Sequence, residues 1–261
     1  MSLARSEQSL DKGRKSEKEL ENAPMSGVEE LGVQASKKEP KENEAKEVKI
    51  VEEKIVYFGK QGVDNTKKTL KLAKERALAR KINHVVLAST RGYTAQEALK
   101  IFKDTNIHLV AIPHQYGSLE GELFDEDTRN AFEQAGHDVY ISTMLFGTYR
   151  FWEGGSAPAT LVNALYRFSK GMKVCVEIAL MAANAGIVPI GEDVIAIAGT
   201  DIGADTAVVI RSSTTVNFDA LQIREIICKP FFSYPVPGDR NEKYIKRVRK
   251  MAQKEPNWYQ Y

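Results

Sequence analysis

The chain has 261 residues, a hydrophobic fraction of 43% and a formal net charge of +2 at pH 7. This composition allows one or two domains with a sizeable core, and the small net charge argues against a nucleic-acid or membrane-surface partner. Cys175 and Cys228 lie far apart, which excludes a disulfide framework and a CxxC unit. The first residues lack the apolar segment of a signal peptide, so we expect a cytoplasmic protein.

The two ends of the chain differ in composition from its middle. Residues 1–50 consist mainly of Lys, Glu, Ser and Asn, and the first aromatic residue is Tyr57. Such a segment cannot bury enough apolar surface to offset its chain entropy. We therefore predict a disordered charged tail over 1–50, a folded α/β domain over 51–232, and a basic, aromatic-ended extension over 233–261.

Apolar runs alternate with helical patterns through the middle of the chain. Strands are predicted at 55–58, 85–87, 107–112 and 139–141, and the helices between them at 66–81, 95–103 and 125–135. This order, at spacings of roughly 25 to 30 residues, predicts parallel βαβ units in one open sheet.

The pattern changes after the fourth strand. A long loop over 142–158 precedes two helices that Gly171 is expected to separate, and the last predicted strands are 194–198, 207–210 and 223–228. Their connections are too short for crossover helices, which indicates antiparallel pairing. We predict a three-layer α/β/α fold with a mostly parallel open sheet and an antiparallel strand near the C-terminal end.

Residues 84–98, HVVLASTRGYTAQEA, are typical of a strand, a hydroxyl-rich turn and a helix. Thr94 is the predicted N-cap, with Glu97 at capping-box spacing. Such a turn brings N–H groups, hydroxyls and a helix N-terminus to one point, where an anion is stabilised. The candidate residues are Ser89, Thr90, Arg91, Gly92, Tyr93 and Thr94. The alternative, a capped turn with nothing bound, stays open at this point.

Ligands of open α/β sheets bind beyond the carboxyl ends of the strands. The loops expected there are 89–94, 114–117, 142–155 and 199–206. The last loop adds the candidates Gly199, Thr200, Asp201, Asp205 and Thr206. Aromatic residues that would pack against a ring are Tyr116, Phe146, Tyr149, Phe151 and Trp152. Together these loops predict a cradle for a phosphorylated ligand that carries a ring.

Few charged or titratable residues are candidates for ligand binding or catalysis. Arg91 and Arg150 are candidate phosphate partners, with ordinary surface arginines as the alternative. His114 is a candidate general acid or base, with a structural histidine as the alternative. Glu177, inside an apolar helix, requires a lysine, a backbone group or a ligand as its partner. No pair of ligating residues has helical metal-site spacing, so no metal site is predicted.

Four segments resemble a known family. NTKKTLKLAKERA followed by HVVLASTRGYTA resembles the signature of the pyruvate kinase C-terminal domain. The segments KGMKVCVEIALMAANAGIVP and VIAIAGTDIGADTA resemble a stand-alone group within that family. From about Ile55 to Pro230, the chain is thus similar to stand-alone proteins, known mainly from archaea, that resemble the C-terminal α/β domain of pyruvate kinase.

The resemblance implies a ligand but not an activity. In some pyruvate kinases the equivalent loop holds the phosphate of an allosteric sugar phosphate, which implies this role for Ser89, Thr90, Gly92 and Thr94, while Arg91 fills a variable position. The stand-alone group implies FMN, which suits the aromatic loop and Gly199–Thr200. The catalytic barrel of pyruvate kinase does not fit in this chain, so that activity is not implied. Self-association of the relatives and an expected edge strand at 223–228 imply a homo-oligomer.

Three hypotheses about function follow. The first is binding of a phosphorylated small molecule, with FMN as the expected ligand, through loops 89–94 and 199–206. The second is an enzyme, either a flavin-dependent oxidoreductase or one that acts on a phosphosugar, with His114 as acid or base. The third is a regulatory or scaffold module whose tails recruit a partner.

Overall fold

The structure, a computed structural model, describes residues 50–116, 124–146 and 157–232. The strands in this part are β1 Val56–Phe58, β2 His84–Ala88, β3 His108–Ile112, β4 Asp138–Val139, β5 Asp193–Ala198, β6 Thr206–Arg211 and β7 Gln222–Pro230. The α-helices are α1 Thr66–Arg80, α2 Tyr93–Phe102, α3 Glu126–Gln134, α4 Ala157–Tyr166 and α5 Lys170–Asn184. The predicted extension at 233–261 and, apart from Ile50, the predicted tail lie outside the described residues.

The strands form one mixed sheet in the order β1-β7-β6-β5-β2-β3-β4. β6 pairs antiparallel with both neighbours, β5 and β7, and all other pairs are parallel. Strand β6 is thus the one described strand that runs against the rest. This confirms the predicted mostly parallel sheet with an antiparallel strand near its C-terminal end.

The predicted edge position of residues 223–228 is correct for most of this segment and wrong at its end. Strand β7 lies between β6 and β1 in the sheet order, but β1 is short and pairs only with Cys228, Lys229 and Pro230. Among the described strands, the segment 223–227 pairs with β6 and has no ladder partner on the opposite side. Helix α1 packs across β5, β6 and β7 and so carries the chain from β1 past three strands before β2 begins.

Helices cover both faces of the sheet. Along β2, Val85 and Leu87 pack into the core with α1, α2 and α3, whereas Val86 packs into the core with α4 and α5. Both faces of the strand are buried, as its continuous apolar run predicts. The described residues therefore form the predicted three layers, α/β/α. In this part of the chain, no helix is long and apolar enough to cross a membrane.

The start of α5 differs from the prediction that Gly171 separates two helices. Ser169 is the N-cap, and its Oγ accepts a hydrogen bond from the N–H of Met172 at 2.9 Å. Gly171 therefore lies inside the first turn of α5. A Cβ atom at this position would overlap the side chain of Thr206. Glycine is required here by the close approach of α5 to the sheet rather than by a break between helices.

Candidate functional site

Strands β2 and β5 lie side by side at the point where the chain connections diverge. Strand β2 leads through α2 on one face to β3, while β5 is entered from α5 on the opposite face. A crevice outside the carboxyl ends of such a strand pair is the usual ligand site of an open sheet. The register pairs Leu87 with Ile197, and continuing it places Thr90 opposite Thr200. Loops 89–94 and 199–206 therefore leave the sheet next to each other.

In the first loop, residues 89–94, the predicted N-cap of the following helix is wrong. Gly92, not Thr94, is the N-cap of α2, with a left-handed φ of 98°. Because glycine reaches this conformation without strain, the helix begins at Tyr93, and Thr94 lies inside its first turn. The hydroxyl of Ser89 accepts a hydrogen bond from the Ala95 N–H at 3.1 Å. Ser89 thus performs the capping role that we predicted for Thr94.

The predicted capping-box role of Glu97 is wrong for the same reason. Its carboxylate forms a pair with the Lys100 ammonium at 2.7 Å and lies 3.8 Å from the Lys67 ammonium. The hydrogen bond from Lys100 lowers the pKa of Glu97. Since neither Glu97 nor Thr94 forms a cap, the N–H groups of Tyr93 and Thr94 are left as helix-end donors without an acceptor in the helix.

The second loop is shaped by a buried carboxylate. Asp205 Oδ2 accepts hydrogen bonds from the N–H groups of Gly62 at 2.9 Å and Thr200 at 3.2 Å. Its Oδ1 accepts one from the Thr206 hydroxyl at 2.9 Å. Burial raises the pKa of Asp205, and the hydrogen bonds act against that effect. Of the predicted ligand residues, Asp205 and Thr206 are fully buried and hold the loop in shape.

Thr200 is the polar residue of this loop whose hydroxyl is not fully hydrogen-bonded in the fold. Its side chain is 3% exposed, and its Oγ1 forms no well-aligned hydrogen bond among the described residues, although it lies near enough to the Asp205 carboxylate to lower the pKa of that group. A buried hydroxyl without a partner is unfavourable by about 1–3 kcal/mol, so such groups usually have a role. The neighbouring Gly199 packs against backbone, since a Cβ there would lie 2.7 Å from the Gly203 carbonyl oxygen.

The other predicted residues of this edge divide between surface and core. Asp201 is exposed and 3.3 Å from the ammonium of Lys170. Arg91 is exposed, His114 is half-buried, and Tyr116 is 68% exposed. Phe146 is buried in the core beside α5, away from a stacking role. The predicted residues Gly117, Tyr149, Arg150, Phe151 and Trp152 lie outside the described residues.

The partner of Glu177 is a lysine together with a backbone group. The ammonium of Lys173 lies 2.5 Å from Glu177 Oε2, and the N–H of Phe146 donates to Oε1 at 2.6 Å. We did not single out Lys173 from the sequence, although its i,i+4 spacing was a usable signal. Both side chains are almost fully buried. Glu177 is therefore satisfied within the fold.

The remaining histidines lie at the opposite end of the sheet from the two loops. His84 and His108 begin β2 and β3, and His137 precedes β4. In the residues that the structure describes, no group of three or more His, Cys, Asp or Glu side chains is arranged to hold a metal ion. We predicted no role for these three histidines from the sequence, in which nothing indicates that they form one cluster.

Comparison with known proteins identifies the family. The family described as "Pyruvate kinase, alpha/beta domain" matches residues 67–210, more than half of the chain and including both loops of the candidate site. Pyruvate kinase of Cryptosporidium parvum, solved in complex with ADP, is similar over 56% of this chain and 23% of that chain, with 14% identity and a TM-score of 0.33. The chain thus matches less than a quarter of that enzyme. It belongs to the pyruvate kinase alpha/beta domain family.

Proposed function

We propose that this protein binds a phosphorylated small molecule, FMN, at the carboxyl edge of the sheet between β2 and β5. The observation that carries the proposal is the buried Thr200 hydroxyl, which forms no well-aligned hydrogen bond among the described residues and lies in the loop after β5, next to the loop that follows β2. A phosphate oxygen would accept a hydrogen bond from this hydroxyl and remove the unfavourable state.

The N-terminus of α2 supports the same proposal. The N–H groups of Tyr93 and Thr94 have no intrahelical acceptor, and the positive end of the helix dipole favours a negative ligand there. Gly92 starts the helix in a left-handed conformation, and a Cβ there would lie 3.1 Å from the Thr128 hydroxyl oxygen, so glycine at this position is explained by the packing of α3. The site thus combines backbone donors from one loop with a hydroxyl donor from the neighbouring loop.

The choice of FMN rests on the resemblance to the stand-alone proteins and on the surface around the two loops. Tyr93 is 39% exposed, Ile202 60% and Tyr116 68%, and all three lie in segments that follow carboxyl ends of strands. Exposed apolar side chains at one edge suit a planar ring, while the loop donors suit its phosphate.

The test compares three probes on the purified full chain: FMN, riboflavin and inorganic phosphate. We expect a flavin absorbance spectrum and a rise in melting temperature with FMN that exceeds the rise with riboflavin. Replacing Thr200 by Val should reduce the preference for FMN over riboflavin about tenfold, as expected for one lost hydrogen bond to a charged group. Thr214→Val, at the other end of the sheet, is the matched control and should leave that preference unchanged.

Two results would reject the proposal. One is a colourless protein whose melting temperature does not respond to FMN. The other is an FMN preference that Thr200→Val leaves intact. Stabilisation by inorganic phosphate alone would retain the anion site and reject FMN as its ligand.

A second candidate, catalysis by His114, is favoured by position. His114 follows β3, the neighbour of β2, and therefore lies at the same edge of the sheet. If the protein is an enzyme, either a flavin-dependent oxidoreductase or one that acts on a phosphosugar, His114→Ala should abolish turnover of its substrate and leave ligand binding intact. Equal loss of turnover and binding would argue for a structural role.

A further inference from the structure

Three histidines form a column across neighbouring strands at the amino end of the sheet. The ring centroids of His84 and His108 lie 5.8 Å apart, and those of His108 and His137 also lie 5.8 Å apart. The three rings come from the starts of β2 and β3 and from the residue before β4. Parallel pairing of these strands places them side by side, although 53 positions separate the first from the last in sequence. We call this group the histidine column.

His137 occupies a position that requires a neutral ring. Its Nδ1 accepts a hydrogen bond from the backbone N–H of Leu109 at 3.3 Å, so this nitrogen carries no proton. The opposite side of the ring packs against Phe132 of α3, with centroids 5.3 Å apart. A proton on Nδ1 would point at the Leu109 N–H, replace an attraction by a repulsion, and separate β3 from the segment that leads into β4.

Charged groups surround the column unevenly. His108 Nε2 lies 2.7 Å from Asp138 Oδ2, and the charges that act on His137 in the described part are those of His108 and Asp138. Glu192 raises the pKa of His84, while burial and His108 lower it more strongly. A polar cavity of about 300 Å³ beside His84 adds the charges of Arg80, Lys81, Asp193 and Arg224. Asp193 and Arg224 neutralise each other at 3.1 Å.

The strand next to His137 is held weakly. Strand β4 has two residues, Asp138 and Val139, which pair with Val110 and Ala111 at the edge of the sheet. Because so few ladder bonds hold this strand, the contacts of His137 with Leu109 and Phe132 make up a large share of what fixes it. The chain then continues to Met144, whose N–H donates to Gln115 at 2.7 Å at the carboxyl edge.

We propose that the histidine column is a proton-responsive latch, which holds α3 and β4 on the sheet at neutral pH and releases them on acidification. Protonation of His137 removes its bond to Leu109 and places a positive charge on a ring whose centroid is 5.8 Å from that of His108. A charge on His84, at the other end of the column, adds to the repulsion. Release of β4 frees the segment at 140–146, so the latch connects the acidity of the medium to the carboxyl edge of the sheet.

The direction of the pH dependence follows from the environment of the rings. Burial, followed by the charge of His108, lowers the pKa of both His84 and His137. A group whose pKa is lowered in the fold stabilises the folded state at pH values above its ordinary pKa, which is about 6.5 for histidine. This contribution is lost as the pH falls below that value. The latch is therefore closed above about pH 6.5 and opens as the pH falls below that value.

Hydrogen exchange on the full chain tests the latch. Between about pH 7.5 and about pH 5, protection factors of amides in residues 126–139 should fall about tenfold. Amides of the β5–β6 hairpin should keep their protection. His137→Asn should abolish the fall, because asparagine Oδ1 takes the place of Nδ1 and accepts the Leu109 bond without titrating. His114→Gln, the one histidine outside the column, is the matched control and should leave the fall unchanged.

A second variant keeps the test decisive if His137→Asn does not fold. His84→Gln removes one charge from the half-buried end of the column and should reduce the fall in protection severalfold. The proposal is overturned if protection at 126–139 does not change with pH, or if the hairpin loses as much. It is equally overturned if the fall survives in both column variants or disappears in His114→Gln.

Discussion

The carboxylate of Asp205 accepts a hydrogen bond from the backbone N–H of Gly62 at 2.9 Å, although 143 residues separate the two in sequence. Gly62 lies in the loop after β1, and Asp205 precedes β6. The same carboxylate accepts a hydrogen bond from the N–H of Thr200, the residue whose hydroxyl is not fully hydrogen-bonded. One buried side chain therefore connects the outer part of the sheet to the candidate ligand site.

Replacing Asp205 by Asn should destabilise the protein by about 1–3 kcal/mol, because one acceptor oxygen becomes a donor that faces other donors. Urea unfolding measures this loss. The matched control is Asp201→Asn, whose exposed side chain pairs with Lys170 and which should change stability by less than about 0.5 kcal/mol. Equal effects of the two variants would show that the hydrogen bonds of Asp205 are not important for stability.

Ser89→Ala should cost about 1 kcal/mol, the usual effect of removing a side-chain acceptor at the start of a helix. The Ala95 N–H then loses its bond to the Ser89 hydroxyl. Thr94→Val keeps the shape of Thr94 and should cost less, since Gly92 and not Thr94 is the N-cap. Thermal unfolding of both variants checks this order. A larger loss of stability in Thr94→Val than in Ser89→Ala would show that Thr94 is the N-cap, as the sequence predicted.

Gly171→Ala should destabilise the fold by at least about 2 kcal/mol, because the added methyl group overlaps Thr206 in a packed interior. Helix propensity alone predicts the opposite sign, a gain of about 1 kcal/mol. Gly59→Ala, with no atom within 4 Å of the new Cβ, is the control and should have little effect. Chemical denaturation of the two variants distinguishes these expectations, and a more stable Gly171→Ala would refute the close contact.

The buried pair of Lys173 and Glu177 should behave as a unit. Lys173→Met leaves an unpaired buried carboxylate and should cost about 3–5 kcal/mol. Adding Glu177→Gln should recover a substantial part of that loss, because the amide oxygen still accepts the Phe146 N–H and no charge remains. A double-mutant cycle by urea unfolding measures the coupling. Additive effects of the two substitutions would contradict a coupled pair.

Both thiols should be inert in the folded protein. Burial raises the pKa of Cys175 well above its usual value and that of Cys228 to about 12. Because the thiolate is the reactive form, neither residue should react with a thiol reagent at about pH 8, whereas both should react once the chain is unfolded. A rapid reaction of one thiol in the native protein would place that cysteine at the surface.

Local patterns were sufficient for most elements of the fold. The apolar run at 85–87 predicted a strand buried on both faces, and short connections after residue 194 predicted antiparallel pairing. The position of β1 beside β7 could not be predicted from local patterns, because strand order depends on where α1 packs and not on local periodicity. The cap of α2 was missed for a related reason, since Gly92 and Thr94 are both acceptable locally and packing decides between them.

The sequence by itself determined which residues are polar at the strand ends and which segments form strands and helices, because hydrophobic periodicity and turn chemistry act over a few residues. Only the tertiary structure decided which of those polar residues are already satisfied. In the folded chain, Asp205 and Thr206 form internal hydrogen bonds, whereas the Thr200 hydroxyl has no described hydrogen bond. The fold also brings the three residues of the histidine column together. These outcomes depend on the register between strands that are distant in sequence, and no local pattern contains that register.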